Sequence, residues 1–461
     1  MVAPAAPPET LAGPDYTRGL FFYRLGPTVN PIAILELPAP RALVLALLLG
    51  LNAAAAWAQA PAAASAPDAA ASGPTLRPAV AAPLQAAQEL ARGGQHAQAL
   101  AKLAEAEAVG GLTPYEVYIT QRLKGPAAFG AGDPATAIVQ FEQVLGSPFL
   151  GAAERPAIIE TTVKLALQAK DFARARRWME TYLAEKGTSE EIRRLYPQVL
   201  SVLGDHAGVL RQLQPQLAAD EAAGRTTPEA TLRMVAASQS GVGDAAAYLR
   251  TLGQLAAGTG KADYWSELIS RTAARDGFAL ERLRLDLYRL RRAAGVTLGA
   301  GELGDMAERA QQAGLPAEAQ QLLDEGFGSG LLGKDKNADA DRKLREQATK
   351  AATQDRQTLA DSETSARNAK DGNSAFGLGL ALSAAGAHER ALALMAQGQA
   401  KGGLRRPEDA LLHLGIASWR AGKTADALKS FNAAGAQASG DGVADLARLW
   451  ALLLNSPAAK K

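Results

Sequence analysis

The chain has no cysteine among its 461 residues. It can therefore form no disulfide, supply no thiolate nucleophile and bind no zinc through cysteine. It also offers no N-terminal cysteine for lipid attachment, which excludes a lipoprotein. The lack of cysteine is compatible with an oxidising compartment but does not by itself indicate one.

Histidine is scarce as well, with only His96, His206, His388 and His413 in the whole sequence. The two nearest, His388 and His413, lie 25 positions apart, and none has the spacing of a metal-binding helix. No nucleophile elbow, phosphate-binding loop or dinucleotide fingerprint is present. We therefore predict no catalytic residue, metal site or cofactor, and a protein that is not an enzyme. His96 and His388 are expected to be solvated residues in helix–helix turns.

Charge of one sign and strand-like runs are also missing. The formal net charge is +2, which gives no bulk electrostatic reason to expect nucleic acid as a partner. Aromatic residues make up 5% of the chain and do not gather with β-branched residues into alternating runs. The sequence therefore predicts an all-α fold.

A repeated spacing of glycine, glycine, alanine and a large apolar residue stands out instead. The intervals of 7, 5 and 4 residues occur three times, with the members Gly125, Gly132, Ala137 and Phe141; Gly379, Gly386, Ala391 and Met395; and Gly415, Gly422, Ala427 and Phe431. The spacing predicts a helix hairpin: the first glycine allows close helix approach, the second makes the turn, and the last two residues share a helix face. Such hairpins bury their apolar faces by stacking on their neighbours.

This pattern resembles the tetratricopeptide repeat family, which has small residues at the eighth and twentieth positions of a unit of about 34 residues and a large apolar residue at the twenty-fourth. The resemblance implies a right-handed α-solenoid of stacked antiparallel helix hairpins. Weaker copies near Ala99, Ala175 and Ala319 extend the array, and about eight to ten hairpins are expected. The repeat count between 200 and 300 is left open.

The N-terminal region has a different composition. Arg41, a run of apolar residues at 42–51 and Ala58-Gln59-Ala60 predict a secretory signal peptide at 41–60. The alternative is an uncleaved anchor in the inner membrane, but the run is shorter than the roughly 20 residues that span a bilayer. Residues 1–40 are interpreted as a mis-assigned extension ahead of the true start. The predicted location is the periplasm of a Gram-negative bacterium.

Composition also predicts the remaining boundaries. Residues 61–83 are rich in alanine and proline and are interpreted as a linker. Residues 84–330 form a solenoid with degenerate repeats, 331–372 one long charged helix, and 373–457 the C-terminal repeats.

Two groups of arginines have a functional and a structural interpretation. Arg174, Arg176 and Arg177 form one group; Arg282, Arg284, Arg289, Arg291 and Arg292 form the other. They could bind an acidic partner, but we favour a solvated arginine face, because Glu281 and Asp286 are near enough to pair.

Partner-binding residues follow from the family resemblance alone. Tetratricopeptide proteins usually bind ligands through the second, fifth, ninth and twelfth positions of the first helix of each hairpin. Those positions correspond here to Arg122, Asn373, Asp409 and Trp419. The resemblance implies a protein or peptide segment as the ligand.

The run from Lys401 to Ala417 looks like the ending of periplasmic tetratricopeptide proteins associated with TonB, ExbB and ExbD type energy-transducing systems. Residues 87–90 and 261–265 are similar as well. The resemblance implies a periplasmic scaffold or adaptor that binds cell-envelope proteins, with a TonB-like inner-membrane complex as one partner. The alternatives are a scaffold for outer-membrane or polysaccharide assembly, and an enzyme with a site hidden in 200–300.

Overall fold

The computed structural model describes residues 75–334, 337–437 and 440–457. The predicted extension at 1–40, the signal peptide at 41–60 and most of the linker lie outside these residues. Within them the chain forms twenty-one α-helices and no strand. It divides into two compact units, with the boundary after Gln216.

The N-terminal unit contains three successive packed helix pairs, a seventh helix and the first part of an eighth. Its helices are α1 (Pro78–Arg92), α2 (His96–Ala108), α3 (Pro114–Gly130), α4 (Pro134–Leu145), α5 (Arg155–Gln168), α6 (Phe172–Ala184), α7 (Glu190–Val202) and α8 (His206–Ala222). Side-chain caps begin several of them, including Thr113, which forms a capping box with Glu116, and Asp133.

The C-terminal unit contains five further pairs, two additional helices between them and a final helix. Its helices are α9 (Glu229–Gly241), α10 (Ala245–Thr259), α11 (Ala262–Ala273), α12 (Leu280–Ala293), α13 (Ala300–Gln312), α14 (Pro316–Gly328), α15 (Ala338–Gln357), α16 (Leu359–Asn368), α17 (Asn373–Ala384), α18 (His388–Lys401), α19 (Pro407–Arg420), α20 (Thr424–Gly435) and α21 (Val443–Asn455). Helices that follow one another in sequence pack together. The all-α class and the succession of helix hairpins are confirmed for the described residues.

The first glycine of each signature lies where two helices approach closely. A Cβ atom added at Gly415 would come 2.5 Å from Cε1 of Phe431, and one at Gly379 would come 2.6 Å from Cγ of Met395. At Gly125 the nearest atom is Cζ of Phe141, at 3.0 Å. A Cβ–carbon distance of 2.5 or 2.6 Å is shorter than any van der Waals contact, so these helices could not pack as they do around an alanine.

The second glycine and the alanine also lie where the spacing predicts. Gly132, Gly386 and Gly422 have φ values of 87°, 84° and 73°, in the left-handed region that favours glycine. Ala137, Ala391 and Ala427 are fully buried. The repeat signature therefore describes packing and turn geometry.

The first helix begins earlier than the composition predicted. It starts at Pro78, inside the expected linker, and its Val80 and Leu84 are buried. Arg77 ties this start to α3: its Nε and backbone nitrogen lie 2.9 and 3.0 Å from Oε1 of Glu116. These bonds from Arg77, with one from the Thr113 amide, lower the pKa of Glu116 to about 2. The pair between Arg77 and Glu116 joins positions 39 residues apart, so composition alone could not predict it.

The charged segment at 331–372 also differs from the prediction of one long helix. It forms two helices, α15 and α16, separated at Thr358. In α15 only Asp341, Ala348 and Ala352 are buried. This helix therefore buries three of its twenty residues.

The core of the C-terminal unit joins distant parts of the sequence. Helix α21 packs against α20 and α19 and also reaches α10 and α12. Trp450 is fully buried and stacks on Phe431, with ring centroids 5.4 Å apart. The last repeats thus contact helices some 150 to 200 residues earlier in the chain. No helix among the described residues is long and apolar enough to cross a membrane.

Candidate binding surfaces

Two of the four predicted groove residues belong to local networks. In the N-terminal unit, both guanidinium NH groups of Arg122 donate to Glu154, at 2.8 and 3.0 Å, and one also donates to the Tyr118 hydroxyl. In the C-terminal unit, the amide of Asn373 donates to the Gly403 carbonyl and accepts from the Arg405 backbone nitrogen. Both side chains therefore have partners within their own unit.

The other two predicted groove residues meet distant helices of the C-terminal unit. Asp409 accepts from NH1 of Arg282 on α12, at 2.5 Å. Trp419 is half-buried against Trp450, with ring centroids 4.9 Å apart. The surface that carries these residues in α19 is thus covered in this structure by other helices of the same unit.

Glu408, Asp409 and Asp441 have carboxylate oxygens within 4.8 Å of one another. Such a group has the composition of a cation site. Arg282 lies among them, because its guanidinium donates to Asp409 and to Asp441. Here a side-chain cation pairs with two of the three carboxylates.

A buried charge cluster connects α12, α14 and α19. Arg289 is 5% exposed; its NH1 lies 2.7 Å from Oδ1 of Asp286, and its NH2 lies 2.5 Å from Oε2 of Glu318. NH2 of Arg420 lies 2.5 Å from Oε1 of Glu318, and Nε2 of His413 lies 3.1 Å from Oδ2 of Asp286. Asp286 and Glu318 each hold two partners, as buried carboxylates require.

Burial alone would raise the pKa of both carboxyl groups in this cluster. The charges of Arg289 and Arg420 outweigh that effect and lower the pKa of Glu318 to about 2. His413 and Arg289 likewise hold the pKa of Asp286 below its usual range. Both carboxyl groups are therefore ionised at neutral pH. This suits them as ion-pair partners, whereas a general acid must be protonated.

This cluster predicts a loss of stability in acid. A carboxyl group whose pKa is lowered on folding stabilises the protein above its unfolded pKa, and this contribution disappears as the pH falls through the folded value. For Glu318 that window runs from about pH 4.5 down to about pH 2. We expect the melting temperature to fall across it, and the fall to be smaller in Glu318→Gln. A melting temperature that is constant across this window would contradict the role of the cluster.

The arginine group on α12 is only partly as predicted. Arg284 pairs with Glu281 and Arg289 with Asp286, which confirms the expected partners. The predicted solvated face is wrong for Arg289, because this side chain is buried and pairs with Glu318 on α14. The turn histidines His96 and His388 are half-buried, with Nδ1 of each shielded from solvent. Arg289, His96 and His388 are therefore less exposed than the sequence predicts.

An open surface lies beside α15. A groove of about 650 Å³ runs between α14 and α15 and contains amide, hydroxyl and charged side chains. Its main members are Gln320, Asp324, Arg345, Thr349, Thr353 and Gln354. A second space, a cavity of about 320 Å³, is lined by the start of α14 and by α15, α16 and α17. We call the first space the α14–α15 groove and the second the end cavity.

The charges in these two spaces sum to zero. Asp324 pairs with Arg345, with Oδ1 and Nε 2.6 Å apart. Glu346 and Lys350 add one charge of each sign to the groove, and Asp355 and Arg356 do the same at the cavity. A polyanion needs an excess of positive charge, so this balance disfavours nucleic acid and acidic polymers.

Sequence reasoning missed this surface because it interpreted 331–372 as one long charged helix and could not show which helix lies beside it. The signal that could have revealed it is the small number of apolar positions in α15, three of whose twenty residues are buried. A long helix with so few buried residues leaves most of its surface open.

The segment behind the closer family resemblance has a packing role. Lys401 Nζ donates to the carbonyl oxygens of Ala366, Arg367 and Ala369, which ends α16 with a cation. Gly402 and Gly403 adopt φ values of 71° and 68°, and the Gly372 amide donates to the Gly402 carbonyl. These residues join two loops of the C-terminal unit.

Comparisons with known proteins assign no family to this chain. No protein-family model and no curated protein matches this chain. Among solved structures, a chain from the structure of Naa15/Naa10 bound to HypK-THB is similar, with a TM-score of 0.33 and 15% sequence identity. The match covers 76% of this chain and 58% of that chain, so less than two thirds of the latter is spanned. At these values the fold assignment rests on the helices themselves.

Proposed function

We propose that this protein is a non-enzymatic scaffold that binds a segment of another protein along the α14–α15 groove. The observation that carries the proposal is the groove itself: an open volume of about 650 Å³ lined by side chains that both donate and accept hydrogen bonds. Amide and hydroxyl groups of this kind can pair with the N–H and C=O groups of a polypeptide.

The position of the groove differs from the one that the family resemblance implied. Asp409 and Trp419 are engaged with α12 and α21, so a partner would have to displace them. The groove beside α15 needs no such displacement. Binding there leaves the repeat packing intact.

For the partner, we propose a cell-envelope protein and, more narrowly, a component of a TonB, ExbB and ExbD type complex that the protein serves as a periplasmic adaptor. The support for this narrower proposal is the resemblance of residues 401–417, together with the signal-peptide pattern at 41–60. Scaffolding of outer-membrane or polysaccharide assembly is the competing proposal.

Photocrosslinking in intact cells tests the scaffold proposal. A photoreactive residue at Gln354, in the groove, is expected to capture a defined partner protein. Gln98 is the control, since it is an exposed helical glutamine of α2 that does not line the groove. Absence of a product at position 354, or the same products at both positions, would contradict binding in the groove.

The identity of the captured protein separates the narrower proposals. A TonB-like, ExbB-like or ExbD-like protein supports the adaptor, and an assembly component supports the envelope scaffold. The adaptor would be abandoned if a deletion strain transported TonB-dependent ligands normally while its envelope integrity was impaired.

A further inference from the structure

We infer that the end cavity receives one large apolar side chain of the bound protein segment, and that this side chain anchors the segment in the α14–α15 groove. The inference rests on the proposed scaffold function and names the chemistry that the groove selects. The groove lies between α14, the second helix of a hairpin, and α15. This surface differs from the first-helix positions that the family resemblance implied.

The walls of the cavity are mostly apolar, with Asp355, Arg356 and Ser362 as the charged and hydroxyl members. Leu359 and Leu378 are half-buried and line it together with Leu382, Ala352 and Ala381. Its volume of about 320 Å³ lies within the range of about 300–1,000 Å³ that is usual for ligand sites. A large aliphatic or aromatic side chain would cover apolar surface that now faces solvent, which is the main source of binding energy at an anchor.

Gly377 supports this assignment from the wall formed by α17. It is exposed in the helix interior, where glycine costs about 0.5–1 kcal/mol relative to alanine. A Cβ atom at this position would meet no atom within 4 Å, so packing inside the protein does not require glycine. The missing side chain instead leaves the cavity open on that side.

The cavity continues the groove along α14. Ala317 lines the cavity, and Gln320 and Asp324 line the groove. These three positions are spaced by three and four residues, so they share one face of the helix. A segment that lies along the groove therefore meets the cavity at one end.

The charged residues at the cavity indicate which charges the rest of the bound segment carries. Asp355 and Arg356 are exposed at the cavity, and Asp355 has no ion-pair partner among the described residues. Together with the balanced charges of the groove, they match a protein segment of mixed charge that carries an apolar anchor. A lipid or other free apolar ligand would use the cavity and leave the polar groove empty.

A displayed library of random peptides tests the inference on the full chain. Peptides selected on the wild-type protein are expected to share a large apolar residue, whose replacement by alanine weakens binding at least about tenfold. Gly377→Leu fills the cavity and should weaken the same peptides to a similar extent. Gly301→Leu is the matched control, because Gly301 is also an exposed helical glycine with no atom within 4 Å of a Cβ.

The inference would be overturned if no peptide were selected, or if the selected peptides shared no apolar residue. It would also be overturned if the peptides bound Gly377→Leu as tightly as wild type, or if the cavity bound an apolar dye but no peptide. If Gly377→Leu melts at a lower temperature than Gly301→Leu, Ala385→Leu replaces it as the variant that fills the cavity, because Ala385 also lines it. If Gln354 still captures its partner in cells with Gly377→Leu, the anchor fails while the scaffold proposal stands.

Discussion

Replacing Arg289 by methionine is expected to lower the free energy of unfolding by about 3–5 kcal/mol. The guanidinium of Arg289 is the cation shared by Asp286 and Glu318, and all three side chains are at most 6% exposed. Without it, two carboxylates remain in a site of low dielectric constant. Arg420 still balances part of the charge on Glu318, and His413 remains beside Asp286.

Arg292→Met is the control for this prediction, since Arg292 belongs to the same helix and pairs with Glu325. That pair is 34% and 55% exposed, so its loss should cost at most about 1 kcal/mol. Urea-induced unfolding followed by circular dichroism measures both variants. Equal shifts in the unfolding midpoint would show that the buried cluster contributes no more than a surface pair.

A second variant, with Asp286 and Glu318 replaced by leucine in the Arg289→Met background, separates charge from packing. Replacing a buried charge cluster by apolar residues is often neutral or stabilising. We therefore expect this triple variant to recover much of the stability lost in Arg289→Met. No recovery would indicate that the geometry of the cluster, and not its charge balance, holds α12, α14 and α19 together.

Gly379→Ala is expected to destabilise the protein by about 1–3 kcal/mol, whereas Gly377→Ala should stabilise it by about 0.5–1 kcal/mol. The two glycines are two positions apart in α17, so helix propensity favours alanine equally at both. At Gly379 the new methyl group would lie 2.6 Å from Cγ of Met395 and 2.8 Å from the Ala391 carbonyl oxygen. The neighbouring helix must move to admit it.

Thermal unfolding of the two alanine variants measures this contrast directly. Gly379→Ala should melt below wild type and Gly377→Ala above it. Similar melting temperatures for the two variants would contradict the close helix approach that the repeat signature predicts. The comparison also tests whether Gly377 is dispensable for folding, as the end cavity requires.

Much of the local structure could be predicted from the sequence. The intervals between Gly415, Gly422, Ala427 and Phe431 indicate a close approach, a left-handed turn residue and one helix face, and each residue lies as predicted. The shared face of Ala427 and Phe431 depends on positions one turn of helix apart, and the approach of Gly415 to Phe431 depends on the short turn that sets α20 antiparallel beside α19. The start of the fold at Pro78 could not be predicted this way, because it depends on a contact between Arg77 and Glu116.

The candidate sites required more than spacing. The family resemblance selected Asp409 and Trp419 by their positions in a helix, but the identity of their neighbours depends on α12 and α21. The α14–α15 groove and its end cavity were not anticipated, since an open volume is a property of several helices together. A sequence shows which residues in α15 are charged but not which helix lies beside them.

The sequence by itself determined the helical class, the hairpin turns and the absence of cysteine chemistry, because these follow from residue type and short-range spacing. Only the tertiary structure decided that Arg289 is buried with Asp286 and Glu318, and that α21 packs back on α12. Arg289 and Glu318 are 29 positions apart and α12 and α21 at least 150, so these contacts depend on how the apolar faces of whole helices are buried together.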